Sequence, residues 1–152
     1  MKIITKLNIL VLTLPMFLLA CNRNEENINA KWDLFSCHHD SSWDSQSIQN
    51  TLIGEWEWEY VSCFNAPALA NGEDFKGLSV EFKSDNTLDV FEDGQLTQTS
   101  NWEVEVYDTD DYGIRMNPAV SQLHGLVLIC GERVEFKASI VDVCDNFFVR
   151  IN

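Results

Sequence analysis

GEWEWEYV, residues Gly54 to Val61, decides the fold. In an extended chain Trp56, Trp58 and Tyr60 share one face, and Glu55, Glu57 and Glu59 share the other. Successive side chains of a strand point to opposite faces, so this alternation puts three rings against a core and three carboxylates in water. A helix would scatter the rings around its circumference. Aromatic side chains also favour the pleated surface.

Working outward, the same period recurs. Leu78, Val80 and Phe82 alternate with Ser79, Glu81 and Lys83, and Asp85-Asn86 offers a turn into Leu88-Asp89-Val90. Asp93-Gly94 is a hairpin signal. It leads to Leu96 and then to Trp102, Val104 and Val106, which alternate with Glu103 and Glu105. After the acidic loop Asp108 to Asp111 come further strands at Gly113–Met116, Gly125–Cys130, Arg133–Ala138 and Phe147–Ile151. On the upstream side, Ser45 to Leu52 places Ile48 and Leu52 four residues apart, the spacing of a short helix or turn. About eight strands with little helix predict an all-β, antiparallel up-and-down barrel or a sandwich.

The N-terminus has a different character. Met1 to Lys6 carries two lysines and no acid, and Leu7 to Leu19 is almost wholly apolar. A basic start, a short apolar centre and a small residue at the cut describe an export signal. The apolar run is short of the roughly 20 residues that span a bilayer. Leu18-Leu19-Ala20-Cys21 resembles the lipobox of bacterial lipoproteins. That resemblance implies cleavage after Ala20, lipidation of Cys21 and anchorage to a membrane. Asn22 follows the cysteine where an inner-membrane retention signal would carry Asp, so the expected location is the outer membrane, on its periplasmic or cell-surface side. The expected organisation is a signal peptide over 1–20, a polar tether over 21–45 and a barrel domain over 46–152.

Removing residues 1–20 takes away Lys2 and Lys6 and no acid, which leaves eight basic against 24 acidic side chains, a formal charge of −16. Such a surface repels nucleic acid and anionic lipid heads. The acidic residues read most simply as a solvating outer face.

Gly54-Glu55-Trp56, opening a strand just after a short helix, resembles the Gly-x-Trp motif of the lipocalins. The run from LIGEWEWEYVSC through EFKSDNTLDVFEDG to CDNFFVRIN is similar to small lipocalin-like lipoproteins of Gram-negative bacteria. The resemblance implies an antiparallel barrel of about eight strands. If such a barrel closes, its last strand pairs antiparallel with its first. Setting Cys144 opposite Cys63 then faces Trp56 with Ile151, Trp58 with Val149 and Tyr60 with Phe147 on the inside, and Glu57 with Arg150 outside.

With Cys21 lipidated, Cys37, Cys63, Cys130 and Cys144 remain, and four thiols in an exported protein suggest two disulfides of three possible connectivities. Cys63 ends the first strand and Cys144 precedes the last, so barrel topology brings both to one rim. Cys130 lies at the opposite rim, where the segment entering the first strand also arrives. The expected pairs are Cys63–Cys144 and Cys37–Cys130.

Cys37-His38-His39-Asp40 contains four ligand-type residues in a row, without the spacing of a metal site, and reads as a solvated linker stapled by Cys37. Neither a metal nor a cofactor is expected. Asp108–Asp111 lacks the spacing of a calcium loop, and His124 reads as a turn or strand residue. With no catalytic constellation in view, the expected function is non-enzymatic. A lipid-anchored barrel would bind a small apolar ligand against Trp56, Trp58, Tyr60, Phe82, Trp102, Phe136 and Phe147. The alternative is a filled barrel serving as a structural or protein-interaction lipoprotein.

Overall fold

The computed structural model describes residues 34–63, 77–138 and 144–151. The signal peptide, Cys21 and the tether up to residue 33 lie outside the described residues. A short helix, α1 (34–39), precedes α2 (Ser45–Leu52). Eight strands follow: β1 (Gly54–Ser62), β2 (Leu78–Phe82), β3 (Thr87–Glu92), β4 (Gln95–Asp108), β5 (Asp111–Asn117), β6 (Leu126–Cys130), β7 (Arg133–Lys137) and β8 (Asp145–Ile151). They form a closed barrel in sequence order, with every neighbouring pair antiparallel and β8 returning to β1. This is the expected up-and-down architecture. Closure removes the exposed edges that an open sheet would present.

Local chemistry sets the turns. Asp93 and Gly94 both take positive φ, as the tight β3–β4 hairpin demands. Between β2 and β3, Asn86 also has positive φ, and Asp85 accepts the Thr87 N–H at 3.0 Å. Asp44 caps α2 by accepting the Ser47 N–H at 2.7 Å, while the Asp44 N–H donates to Ser47 Oγ at 2.9 Å.

The helix then lies across one end of the barrel. Ile48 and Leu52 are fully buried in the core, and Gln49 donates to Asn86 at the β2–β3 turn. The opposite end carries the β3–β4 hairpin and the β5–β6 connection. It is the open end.

Arg150 fastens the closed end. Its guanidinium lies 4.3 Å from the Trp56 ring and donates from Nη1 to the Ile53 carbonyl at 3.0 Å and from Nη2 to the Thr51 carbonyl. Its Nε meets Glu132 at 3.1 Å. Trp56, wholly buried, donates its indole N–H to the Leu52 carbonyl at 2.8 Å. One cation thus joins β8, β1, the C-terminal end of α2 and the β6–β7 turn. Gly54 makes room for it, because a Cβ there would sit 2.5 Å from Arg150 Nη1 and the backbone φ is +134°.

The β1–β8 register corrects part of the expected pairing. Tyr60 does face Phe147, but a bulge between Trp58 and Tyr60 shifts everything towards the closed end by one residue. Trp58 faces Phe148, Glu57 faces Val149, Trp56 faces Arg150 and Glu55 faces Ile151. The expected Glu57–Arg150 pair is therefore absent. An extra residue in one strand also changes which side chains point inward beyond it.

Phe148 stacks on Trp58 in the core at 5.8 Å, while Tyr60 and Phe147 stack on each other at 4.1 Å outside the core cluster. Cross-strand pairing sets Leu128 beside Glu135, Glu135 beside Phe147 and Phe147 beside Tyr60. The first three are at most 2% exposed, so this part of the barrel is buried on both faces. Burial pushes the Tyr60 hydroxyl pKa up, and the charges of Glu59, Glu135 and Asp145 add to it.

The β5–β6 ladder is the weakest seam, with Gly113↔Leu126 as its one registered pair. Here α1 stands in for a strand. Neutral His38, buried, accepts the Ile129 N–H on Nδ1 at 2.9 Å, and Trp43 stacks on the imidazole at 5.4 Å. Leu34 is buried too, and Cys37 bonds to Cys130. Residues 34–44, read from the sequence as the end of a polar tether, thus belong to the folded body.

Both disulfides have the expected connectivity. Cys37–Cys130 has a Cα separation of 5.7 Å, and Cys63–Cys144 has one of 4.2 Å at the other end.

Two outcomes follow from these contacts. Arg150→Met, which keeps the stem but loses the cation and its donors, should lower unfolding stability in urea by about 2–3 kcal/mol. A loss below about 0.5 kcal/mol would mean that Trp56 burial alone holds the closed end. The second outcome concerns pH. Burial is the leading cause holding the His38 pKa below 6.5, with the His39 charge adding to it and the Ile129 backbone contact and Asp111 opposing it.

The unfolded chain therefore takes up this proton first. The His38 contribution is intact above about pH 6.5 and is lost as pH falls through the lower folded value. Melting temperature should fall between pH 7.5 and 5.5. The fall should be smaller in His38→Asn, whose amide oxygen can accept the same N–H without titrating. Equal slopes in the two proteins would refute the assignment.

Candidate functional site

The barrel interior is filled towards the closed end. Trp56, Phe82, Trp102 and Phe136 are each at most 2% exposed. Phe82 meets Trp102 edge-to-face at 4.9 Å, and Phe136 meets Phe148 edge-to-face at 5.6 Å. Interlocking rings of this kind pack at the density of an organic crystal and leave no room for a guest.

Space opens at the other end. A hollow of about 250 Å³ is floored by Trp58 and Phe148 and walled by Leu78, Val80 and Val90. Its rim carries Ser79, Glu92, Thr97 and Gln98 from the strands, with Ala119, Val120, Ser121 and Gln122 from the β5–β6 connection. That connection is anchored by Leu123, fully buried, and Val120, 4% exposed. Gln98 ties it to β4 by donating to the Ala119 carbonyl at 3.1 Å. His124 closes a local turn on the Ser121 carbonyl at 2.6 Å, in keeping with a turn residue.

Of the seven aromatics expected to line a pocket, only Trp58 does so in this hollow. Trp56, Phe82, Trp102 and Phe136 form the filled core. Tyr60 and Phe147 lie on the other side of the bulge, outside it. Phe148 does line the hollow, and periodicity alone could not single it out from its neighbour Phe147, since either ring suits an inward position. The β3–β4 hairpin contributes Glu92, Thr97 and Gln98, a polar stretch with no signal that marks a rim.

A larger hollow of about 440 Å³ lies beside β4 and β5, bordered by Asn86, Asn101, Glu103, Arg115 and Asn117. It is an open groove. Trp102 beneath it is 2% exposed and commits its indole N–H to the Thr87 carbonyl at 3.0 Å. The barrel mouth is the better candidate, because concavity, apolar floor and polar rim coincide in it.

Cys37, His38 and His39, read from the sequence as part of a stapled linker, make structural contacts. Cys37 is disulfide-bonded, His38 serves Ile129, and His39 contacts the Phe35 carbonyl at 2.9 Å. Several outer-face carboxylates are tied into pairs. Asp89 accepts from Lys83 at 2.5 Å and Thr99 at 2.6 Å, and the Lys83 bond is the main cause of its lowered pKa. Arg115 bridges Glu103 and Glu105. Among the described residues lining the mouth, Glu92 is the one ionisable side chain, so they do not supply a paired general acid and base.

Compared with protein-family models, with curated proteins and with solved structures, the chain finds no match in any of the three.

Proposed function

We propose that this chain is a lipid-anchored, lipocalin-like, non-enzymatic protein of the bacterial outer membrane, carried on Cys21, that binds one small amphipathic molecule in the barrel mouth. The observation that carries the reading is the hollow of about 250 Å³ with its stacked Trp58–Phe148 floor, which the described residues leave open at the end of the barrel away from α2. A pair of rings at the base of a polar-rimmed cup supplies apolar contact and orientation together.

The envelope assignment is supported by the export signal, by the lipobox resemblance at Cys21 and by two disulfides, which persist in oxidising compartments. A second reading has its own support. The mouth falls below the roughly 300 Å³ of typical ligand pockets, while Leu96, Val106 and Tyr107 are exposed. A filled structural or protein-interaction lipoprotein would have both properties.

The two parts of the proposal are tested separately. Cells labelled with a fatty-acid analogue should incorporate it into the wild-type protein and not into Cys21→Ser, and equal labelling would exclude the anchor. Native mass spectrometry of protein extracted gently from its own membranes should show a retained small molecule. Val90→Trp, which fills the mouth, should lose it. Retention by Val90→Trp, or none in wild type, would favour the filled-barrel reading.

A further inference from the structure

The polar atoms around the mouth are unevenly committed. Thr97 donates its hydroxyl to the Val90 carbonyl at 3.2 Å. Gln98 spends its amide donors on Ser100 Oγ at 3.0 Å and the Ala119 carbonyl at 3.1 Å. Ser121 donates to Gln122 at 2.9 Å. Three of the rim's donor side chains are thus directed at the protein itself. Glu92 meanwhile contributes a carboxylate, which only accepts at neutral pH. No Lys, Arg or His is among the described residues lining the mouth, and the chain as a whole carries a formal charge of −14.

From this we infer that the mouth selects a small organic cation: an aromatic or short aliphatic body bearing a protonated amine. The inference rests on the reading of the mouth as a ligand site and adds the chemical class. The body would lie against Trp58, which is backed by the buried Phe148, and against the Leu78, Val80 and Val90 wall, where an aromatic ring attracts a cation as well as apolar surface. The ammonium would point to the rim, where Glu92 and the remaining lone pairs of Thr97 and Gln98 accept its N–H groups. A carboxylate ligand meets a like charge at the rim, where the Ser79 hydroxyl and the Gln122 amide are the side-chain donors outside the bonds just described. The field of the acidic chain draws cations towards the mouth and repels anions.

Three probes with one body separate the possibilities: 2-phenylethylamine, 2-phenylethanol and phenylacetate. Titrated into the full chain and followed by calorimetry and tryptophan fluorescence, the amine should bind about three- to fivefold tighter than the alcohol, the size expected of an exposed carboxylate. Phenylacetate should bind weakest. In Glu92→Gln the amine-to-alcohol ratio should fall to about one. In wild type the same ratio should shrink as salt rises from about 20 to about 500 mM. Trp58→Phe should remove most of the fluorescence response, which locates the event.

Equal binding of amine and alcohol, or a preference that survives both Glu92→Gln and high salt, overturns the cation inference while leaving a ligand-binding mouth in place. Binding by none of the three overturns the mouth as a ligand site and the inference with it.

Discussion

One cation fastens the end of this barrel at which α2 docks. Arg150, from the last strand, lies over Trp56, from the first, and reaches the carbonyls at the C-terminal end of α2. Those carbonyls have no partner within the helix, so a guanidinium completes hydrogen bonding that the helix leaves unfinished. The same contact fixes where α2 sits, and α2 closes that end with Ile48 and Leu52. The space left in the barrel is consequently at the other end. Ring packing beneath Arg150 and the hollow above Phe148 are two results of a single placement.

Much of the fold was legible because period-two alternation runs unbroken through most strands. The Trp56–Tyr60 face, the turns at Asp85-Asn86 and Asp93-Gly94, and the helix over Ser45–Leu52 all follow from local chemistry. Both disulfides follow from topology once a closed barrel is assumed. The bulge did not follow. Tyr60 and Phe147 suit an inward-facing position as well as Trp58 and Phe148 do, and hydrophobic pattern alone cannot place an inserted residue where apolar side chains stand on both faces. Helix α1 was hidden for the opposite reason. Its residues Cys37, His38 and His39 look solvated, and the burial of His38 depends on the gap between β5 and β6, a feature of tertiary structure.

The candidate site was legible only in part. Aromatic content announced a ring-rich interior, but volume decides which rings are filler and which are floor. Four rings in the lower barrel consume the space, and the mouth is shaped by Thr97, Gln98 and the 119–122 segment, which carry no periodic signal. Their donor commitments arise from contacts between β3, β4 and the β5–β6 connection. The specificity proposed for this rim is thus a by-product of how the connection is tied down.

The Cys37–Cys130 bond has a mechanical consequence. Within the described residues, a pull on the chain at residue 34 enters the barrel through α1. Without the bond, that load would act on the His38–Ile129 contact and peel open the seam that one strand pair secures. With it, tension passes covalently into the end of β6, next to the β6–β7 hairpin, whose ladder has five registered pairs. The disulfide works as a strain relief: the load reaches the same strand, β6, through a covalent bond instead of a single hydrogen bond.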